Sequence, residues 1–258
     1  MKLSIIIVSY NVKHLLKQAI DSLLFAAKGI DSELFIVDNA SKDGTIDFLK
    51  EIYPEITLLA NTANVGFAVA NNQAITQAKG EYVLVINPDT VTQPDVLIKA
   101  LSFVDNHPDG GSLGVRMLDG NGKFLPESKR GLPTPWVSFS KLSGLYKVFP
   151  KSKTFNRYYM GWVNEFETQE VDVLTGAFML LRKSALEKIG LFDEHFFMYG
   201  EDVDLSYRLT LAGYKNYYFP EVYITHFKGQ STNKLSLRYI KSFYGSMFIF
   251  AKKYFLKF

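Results

Sequence analysis

Four apolar runs, Leu3 to Val8, Leu34 to Val37, Ile56 to Ala60 and Tyr82 to Ile86, alternate with helical patterns near Val12 to Ala27, Thr45 to Glu51, Phe67 to Ala78 and Pro94 to Val104. Parallel strands need this arrangement, because each is buried on both faces and each return crossing must run over the sheet as a helix. The chain therefore reads as α/β, with a mainly parallel central sheet flanked by helices. Its 258 residues, 47% of them hydrophobic, can fill one large core. The first apolar run is too short for a signal peptide and lacks a small-residue cleavage pattern, so it reads as the first strand. No apolar stretch approaches the roughly 20 residues that cross a bilayer. The absence of cysteine excludes disulfides and thiolate chemistry and fits a reducing, cytoplasmic setting.

From Pro108 to Gln169 the alternation fails. Gly110-Gly111, Asp119-Gly120-Asn121-Gly122 and Pro133-Thr134-Pro135 punctuate what reads as a loop-rich segment, either a cover for a cleft or a plain connection. Order returns with strands over 170 to 174 and 178 to 182, a helix over 184 to 189, a helix opening near Gly200-Glu201-Asp202, and strand pieces over 217 to 219 and 222 to 225 that lead to His226. With no repeat or linker, residues 1–230 form one unit and residues 231–258 a basic helical tail.

Two acids end predicted strands, Asp38 after Leu34-Phe35-Ile36-Val37 and Asp89 in Asn87-Pro88-Asp89. Strand ends of open α/β sheets form the ligand crevice, so both carboxylates are expected to face it. The first glycine of the chain is Gly29. That excludes the early glycine-rich turn on which Rossmann enzymes, P-loop NTPases and sugar-phosphate nucleotidyltransferases cradle phosphates. The crevice instead offers Tyr10-Asn11 following Ser9, then Asp38-Asn39, Asn64-Val65-Gly66-Phe67, Asn71-Asn72 and Asn87. As an acceptor Asp38 suits the N3–H of a uracil or thymine ring, and Asp89 suits a hard divalent cation, Mg2+ or Mn2+, shared with substrate phosphates. The bland alternative for either acid is a helix cap, and for Asn71 and Asn72 a solvated helix face.

A third acid group begins a helix. At about 100° per residue Asp202 shares a stripe with Leu205, Ser206 and Leu209 and points inward, whereas Glu201 falls with Asp204 and Arg208. An inward carboxylate suits a general base; the alternative is a capping acid beside a surface cluster of Glu201, Asp204 and Arg208. His226, followed by Phe227-Lys228-Gly229-Gln230-Ser231, reads either as a metal or phosphate contact or as a structural histidine.

Ile5-Ile6-Ile7-Val8-Ser9-Tyr10-Asn11, Val37-Asp38-Asn39-Ala40-Ser41-Lys42-Asp43-Gly44-Thr45, Asn64-Val65-Gly66-Phe67-Ala68, Asn87-Pro88-Asp89 and Gly200-Glu201-Asp202, in this order, resemble glycosyltransferase family 2. The resemblance implies a GT-A fold and inverting transfer from a nucleotide-diphospho-sugar donor, with a divalent cation and a carboxylate base. It divides the unit into a nucleotide-binding half, 1–106, and an acceptor and catalytic half, 107–230. Asp38 matches the base-binding acid, Asp89 the second acid of the family's Asp-X-Asp motif, and Asp202 the catalytic base. Ser9, Tyr10, Asn11, Asn64, Gly66, Phe67, Asn71 and Asn87 then surround the nucleotide. Asp89 and His226 serve the metal, and Gly176, Ala177 and Glu201 face the acceptor. Asn87 replaces the first acid of the motif, removing one anionic contact. The Asn-Pro-Asp form, with Leu174-Thr175-Gly176-Ala177-Phe178 and His226-Phe227-Lys228-Gly229-Gln230-Ser231, is similar to the rhamnosyltransferase-like branch, whose usual donor is dTDP-L-rhamnose. The acceptor implied is a glycan or lipid-linked glycan of a surface polysaccharide. Rival readings are a same-fold transferase using a UDP-hexose, or a nucleotide- or carbohydrate-binding protein without turnover. Arg130 and Trp136 are further candidates for glycan or phosphate contact.

After Glu221 there are seven cations and no acid, so the formal net charge of +3 hides a basic tail on an acidic body. Nucleic acid is thus an unlikely fit for the body, which carries no reader motif. On a helical wheel Ile240, Phe243, Met247, Tyr254 and Phe258 oppose Arg238, Lys241, Lys252 and Lys253, with Ile249 and Leu256 interrupting the cationic side. Such a helix suits peripheral contact with the inner face of a membrane; the alternative is packing on the domain or on a second copy in a homo-oligomer.

Overall fold

A computed structural model describes residues 1–228 and 237–256, with side chains from residue 242 onward in the second stretch. The first half alternates as its pattern predicts: β1 (Leu3–Ser9), α1 (Lys13–Ala26), β2 (Ser32–Asp38), α2 (Thr45–Ile52), β3 (Thr57–Ala60), α3 (Phe67–Ile75) and β4 (Tyr82–Ile86). β5 (Thr90–Thr92), α4 (Val96–Asp105) and β6 (Gly110–Leu118) follow, then a 3-10 turn at Pro126–Ser128, α5 (Pro135–Leu142), α6 (Leu145–Val148) and β7 (Gln169–Glu170). β8 (Phe178–Arg182), α7 (Lys183–Ile189), α8 (Glu201–Leu211), β9 (Lys215–His226) and α9 (Leu237–Tyr254) complete the order.

One sheet runs β3-β2-β1-β4-β8-β6-β9-β5, with β7 paired to β9. β3, β2, β1 and β4 are mutually parallel; β8 runs antiparallel between β4 and β6, and β6 is parallel to β9. The period-two alternation of strand side chains splits the core across the sheet. Ile5, Ile7, Leu84 and Ile86 pack with α1 and α4 on one face, while Ile6, Val83 and Val85 pack with α3 and α8 on the other. Each such side chain, almost wholly buried, stabilises the fold by about 1.5–3 kcal/mol relative to exposure. From β1 the chain winds outward through β2 to β3 and returns to β4 on the other side. The carboxyl ends of β1, β2 and β4 therefore open on one switch point.

The segment expected to be loop-rich is more ordered than its composition indicates. β6 lies in the middle of the sheet, and its glycines answer to crowding: a Cβ on Gly114 would meet Leu174 Cδ2 at 2.6 Å. Pro133-Thr134-Pro135 starts a helix, with Thr134 Oγ1 accepting from Val137 N at 3.4 Å and Pro135 in the first turn. The strand expected over 170 to 174 is only β7 plus a lone bridge from Val173 to Arg130.

The tail helix packs on the domain. Phe250 is buried with Val173, Phe196 and Val203; Ser246 Oγ donates to Met198 O at 3.0 Å; Lys253 Nζ and Tyr254 OH both donate to Asp204 Oδ1 at 2.7 Å. The surface cluster considered for Glu201, Asp204 and Arg208 is accordingly not at the surface, because α9 covers it and Asp204 is fully buried. Arg238, Ile240, Lys241 and Phe258 of the helical wheel, and Gly229, Gln230 and Ser231 after His226, lie outside the described residues or side chains. Among the described residues no helix is long and apolar enough to cross a membrane.

Candidate active site

The switch point opens into a cleft of about 780 Å³. Its lining includes Ser9 and Tyr10 at the end of β1, Asn64, Gly66 and Phe67 at the start of α3, and Asn87 and Asp89 after β4. Gly176, Ala177, Glu201, Asp202 and His226 line it as well. Asn11, Asp38 and Asn71 are not on its wall. Asn11 Oδ1 accepts from Lys42 N at 2.7 Å, and Asn71 Nδ2 donates to Phe67 O at 2.9 Å inside α3. Asp38 lies wholly buried, with Oδ2 accepting from Ser41 N at 2.8 Å and Oδ1 lacking a partner. Asn72, read as a solvated alternative, instead anchors the Phe192 turn, bonding both Phe192 N and Phe192 O.

Neither strand-end acid caps a helix: α2 begins behind Gly44, and Asp89 is followed by a strand. The turn before α3 requires Gly66, whose φ is 89° and whose added Cβ would stand 2.5 Å from Phe197 O. That approach lets Phe67 N donate to Phe197 O at 2.8 Å and fastens the loop preceding α8 to the start of α3.

Antiparallel pairing of β5 with β9 sets His226 opposite Thr90, which brings its ring to Asp89. His226 Nε2 and Asp89 Oδ1 stand 3.2 Å apart, both side chains nearly buried. The contact lacks hydrogen-bond alignment and leaves Asp89 Oδ1 without a partner; the other ring nitrogen, His226 Nδ1, has none either. Neighbouring ligands on an octahedral ion with bonds of about 2.1 Å are separated by about 3 Å. The pair therefore fits two ligands of a hard divalent cation, whose other positions would fall to water and substrate phosphates. Among the described residues no third acidic or imidazole group joins them.

α8 supplies the remaining acids. Its start is set by Gly200, at φ 92°, and all of Glu201, Asp202 and Asp204 are buried. Asp202 Oδ2 accepts from Arg130 Nη2 at 2.5 Å and from Gly176 N at 3.4 Å; Oδ1 accepts from Val203 N at 2.8 Å. Arg130 is held in turn by its backbone bridge to Val173 and by Nη2 donating to Leu174 O at 2.6 Å. Burial, then the adjacent Asp202 carboxylate, pushes the Glu201 carboxyl up to about 8. Of the two sequence neighbours it is Asp202 that pairs with Arg130. Gly176 contributes a backbone N–H to Asp202 while packing against the Phe67 ring.

Sequence reasoning found the acids and His226 and named Arg130 as a glycan or phosphate contact, but missed its pairing with Asp202 and missed Lys141 and Tyr158. Lys141 sits 3.4 Å from the centroid of the Tyr158 ring, and both line the cleft with Arg130. Burial pulls the Lys141 ammonium down; for Tyr158 burial acts upward, but Arg130 and Lys141 outweigh it and lower the phenol. Lys228, beyond His226, is ion-paired with Glu127. Trp136 points away from the cleft and donates to Thr154 O at 3.2 Å. Paired prolines and scattered aromatics gave no period from which this cationic wall was readable.

Comparison with known proteins gives a consistent result. The profile of the family described as glycosyl transferase family 2 matches residues 4–190. The N-acetylglucosaminyl-diphospho-decaprenol L-rhamnosyltransferase of Mycobacterium tuberculosis is 31% identical over 96% of this chain and 83% of its own. Rhamnosyltransferase WbbL of Escherichia coli K12 is 27% identical over 86% of this chain and 82% of its own. Among solved structures, Staphylococcus aureus TarS superposes with a TM-score of 0.65 at 20% identity, covering 98% of this chain and 39% of TarS. The mannosyltransferase PcManGT of Pyrobaculum calidifontis, solved with GDP-Man and Mn2+, gives 0.62 at 21% identity over 89% of this chain and 58% of that one. At these identities the two structures speak to the fold, which is GT-A.

Proposed function

The chain belongs to glycosyl transferase family 2, and from that premise we propose that it transfers L-rhamnose from dTDP-L-rhamnose, with inversion, to a lipid-linked glycan in cell-surface polysaccharide synthesis. The observation that carries the reading is the meeting of the Asp89–His226 pair and the Asp202–Arg130 pair in one cleft. The names of the relatives suggest the sugar and the kind of acceptor.

In this reading Asp202 takes the proton of an acceptor hydroxyl as that oxygen attacks the anomeric carbon. The bond from that carbon to the diphosphate oxygen breaks, dTDP leaves, and the single displacement inverts the configuration. Burial raises the Glu201 carboxyl above the ordinary carboxylate range, which supports Asp202 over Glu201 as the base in this reading. Arg130 keeps the Asp202 carboxylate oriented. Asp89 and His226 would hold a divalent cation, which when bound neutralises charge on the diphosphate. In this reading the unpartnered Oδ1 of Asp38 is the acceptor for a thymine or uracil N3–H, which requires the lining in front of it to open, because that oxygen is wholly buried. The work takes place at the cytoplasmic face of the membrane, where a lipid-linked acceptor presents its glycan.

The test is thermal stabilisation by dTDP and by UDP, each with and without Mn2+, followed by release of free nucleotide from dTDP- and UDP-sugars. A ligand at 100 times its Kd stabilises by about 2.7 kcal/mol. The expectation is a larger shift for dTDP that depends on Mn2+, and nucleotide release from dTDP-L-rhamnose. Preference for UDP would identify a UDP-hexose transferase, and binding without release from any donor would identify a binding protein.

A further inference from the structure

The polar groups just described occupy only part of the cleft. The same lining carries Pro135 and Leu142 of α5, Phe243, Met247 and Phe250 of α9, and Phe255 just after it. The diphosphate and hydroxyl groups of a nucleotide sugar gain nothing from such a wall. Leu142 is 63% exposed while facing this space, an apolar side chain held open to solvent beside a catalytic acid. Lys141 lies one residue earlier in the same lining. Among the described residues it makes no ion pair with a carboxylate, and its ammonium rests on the Tyr158 ring near Arg130.

We propose that the space between α5 and α9 is a groove for the isoprenoid chain of a polyprenyl diphosphate, with Lys141 meeting the diphosphate and Asp202 reaching the sugar attached to it. Three features of the ligand match three features of the groove. An apolar tail meets the aromatic and aliphatic side chains of α5 and α9. A dianionic linkage meets the Lys141 ammonium. A sugar hydroxyl meets Asp202. Outside the cleft lining, Trp136 and Phe139 stand exposed on α5 with ring centroids 5.7 Å apart, and Phe149 is exposed just beyond α6. Lys147, Lys151 and Lys153 accompany them along the chain, a composition that suits the boundary from which a long-chain lipid would enter. The inference rests on the reading of the chain as a transferase to a lipid-linked acceptor, and it adds the residues that hold the lipid.

The test uses the full chain and three probes: geranylgeranyl diphosphate, geranylgeraniol and inorganic diphosphate, with binding followed by calorimetry and dTDP binding measured in parallel. The expected result is saturable binding of geranylgeranyl diphosphate at least tenfold tighter than of either partial probe. Leu142→Asp and Met247→Asp should each weaken it by tenfold or more, and Lys141→Met should weaken the diphosphate while sparing geranylgeraniol. Unchanged dTDP binding and unfolding midpoint would show the variants folded. Binding no tighter than that of inorganic diphosphate, or tight binding that survives both aspartate substitutions, overturns the groove. Variants that lose phosphatidylglycerol vesicles yet keep geranylgeranyl diphosphate would make the face a bilayer contact and also overturn it. Lipid diphosphate binding without dTDP binding or sugar transfer would refute the rhamnosyl reading alone and leave the groove standing.

Discussion

Replacing Arg130 with methionine tests whether the base is held by a countercharge or merely lies near one. Arg130 and Asp202 are each 11% exposed at the side chain and 2.5 Å apart, so removing either leaves a charge in a poorly hydrated place. Breaking a buried pair from one side costs about 3–5 kcal/mol. The lower end applies, because Asp202 keeps the amides of Gly176 and Val203. About 3 kcal/mol corresponds to a fall in Tm of roughly 6 to 12 °C for a chain of this size. Asp202→Asn strands the guanidinium and should cost a similar amount, together with a loss of about 10²–10⁴ in kcat if Asp202 is the base. The double variant removes both charges, so its stability loss should fall short of the sum of the single losses by about 2–3 kcal/mol. Its kcat should be no lower than that of Asp202→Asn, since Arg130 acts through the carboxylate. Thermal and urea unfolding give the stability cycle, and nucleotide release gives the kinetic one. Additivity within about 0.5 kcal/mol, or independent losses of kcat, would refute the coupling.

Three further outcomes follow from geometry already described. Glu201 is raised from an ordinary 4.5 to about 8, so between those pH values the folded chain holds a proton that the unfolded chain has released, and stability falls as pH rises through the window. Glu201→Gln should flatten that fall in urea midpoints taken at about pH 5 and about pH 8; parallel slopes for variant and parent would refute it. Gly66→Ala places a Cβ against Phe197 O at a positive φ and should cost about 1–3 kcal/mol while raising KM for the donor, and an unchanged KM would detach this turn from nucleotide binding. Removing both α9 donors to the buried Asp204, with Lys253→Met and Tyr254→Phe, should cost about 2–4 kcal/mol in equilibrium unfolding. A loss below about 0.5 kcal/mol would mean that the helix is not seated there in solution.

The nucleotide half was legible because Leu3 to Val8, Leu34 to Val37 and Tyr82 to Ile86 are uninterrupted apolar strands buried on both faces. Asp89, Asp202 and His226 were legible because each ends or begins an element whose periodicity is clear. β6 was not, since Gly110 and Gly111 read as turn signals when crowding by neighbours such as Leu209 and Tyr214 is what asks for them. Arg130 was visible only as a loop cation. The chain separates it from Asp202 by 72 positions, and nothing local announces a contact made through a single bridge to Val173. Asp38 was found as a strand-end acid, but burial behind the cleft lining depends on how the turn after β1 folds back, which no strand pattern encodes. The amphipathic tail was correctly seen as a helix with an apolar side; that this side has a partner within the same chain depends on Asp204 and Phe196, far away in sequence.

The hold of Lys253 and Tyr254 on Asp204 ties the last helix to the turn that presents the base, two residues from Asp202. A truncated chain lacking this helix would uncover a buried aspartate and loosen the catalytic turn, so its failure to bind vesicles or to turn over would report damage and not address. Tyr244 and Phe248, which face outward from the same helix, can be exchanged for polar residues without touching that clasp. They are the positions at which attachment to lipid and integrity of the reaction centre can be varied separately.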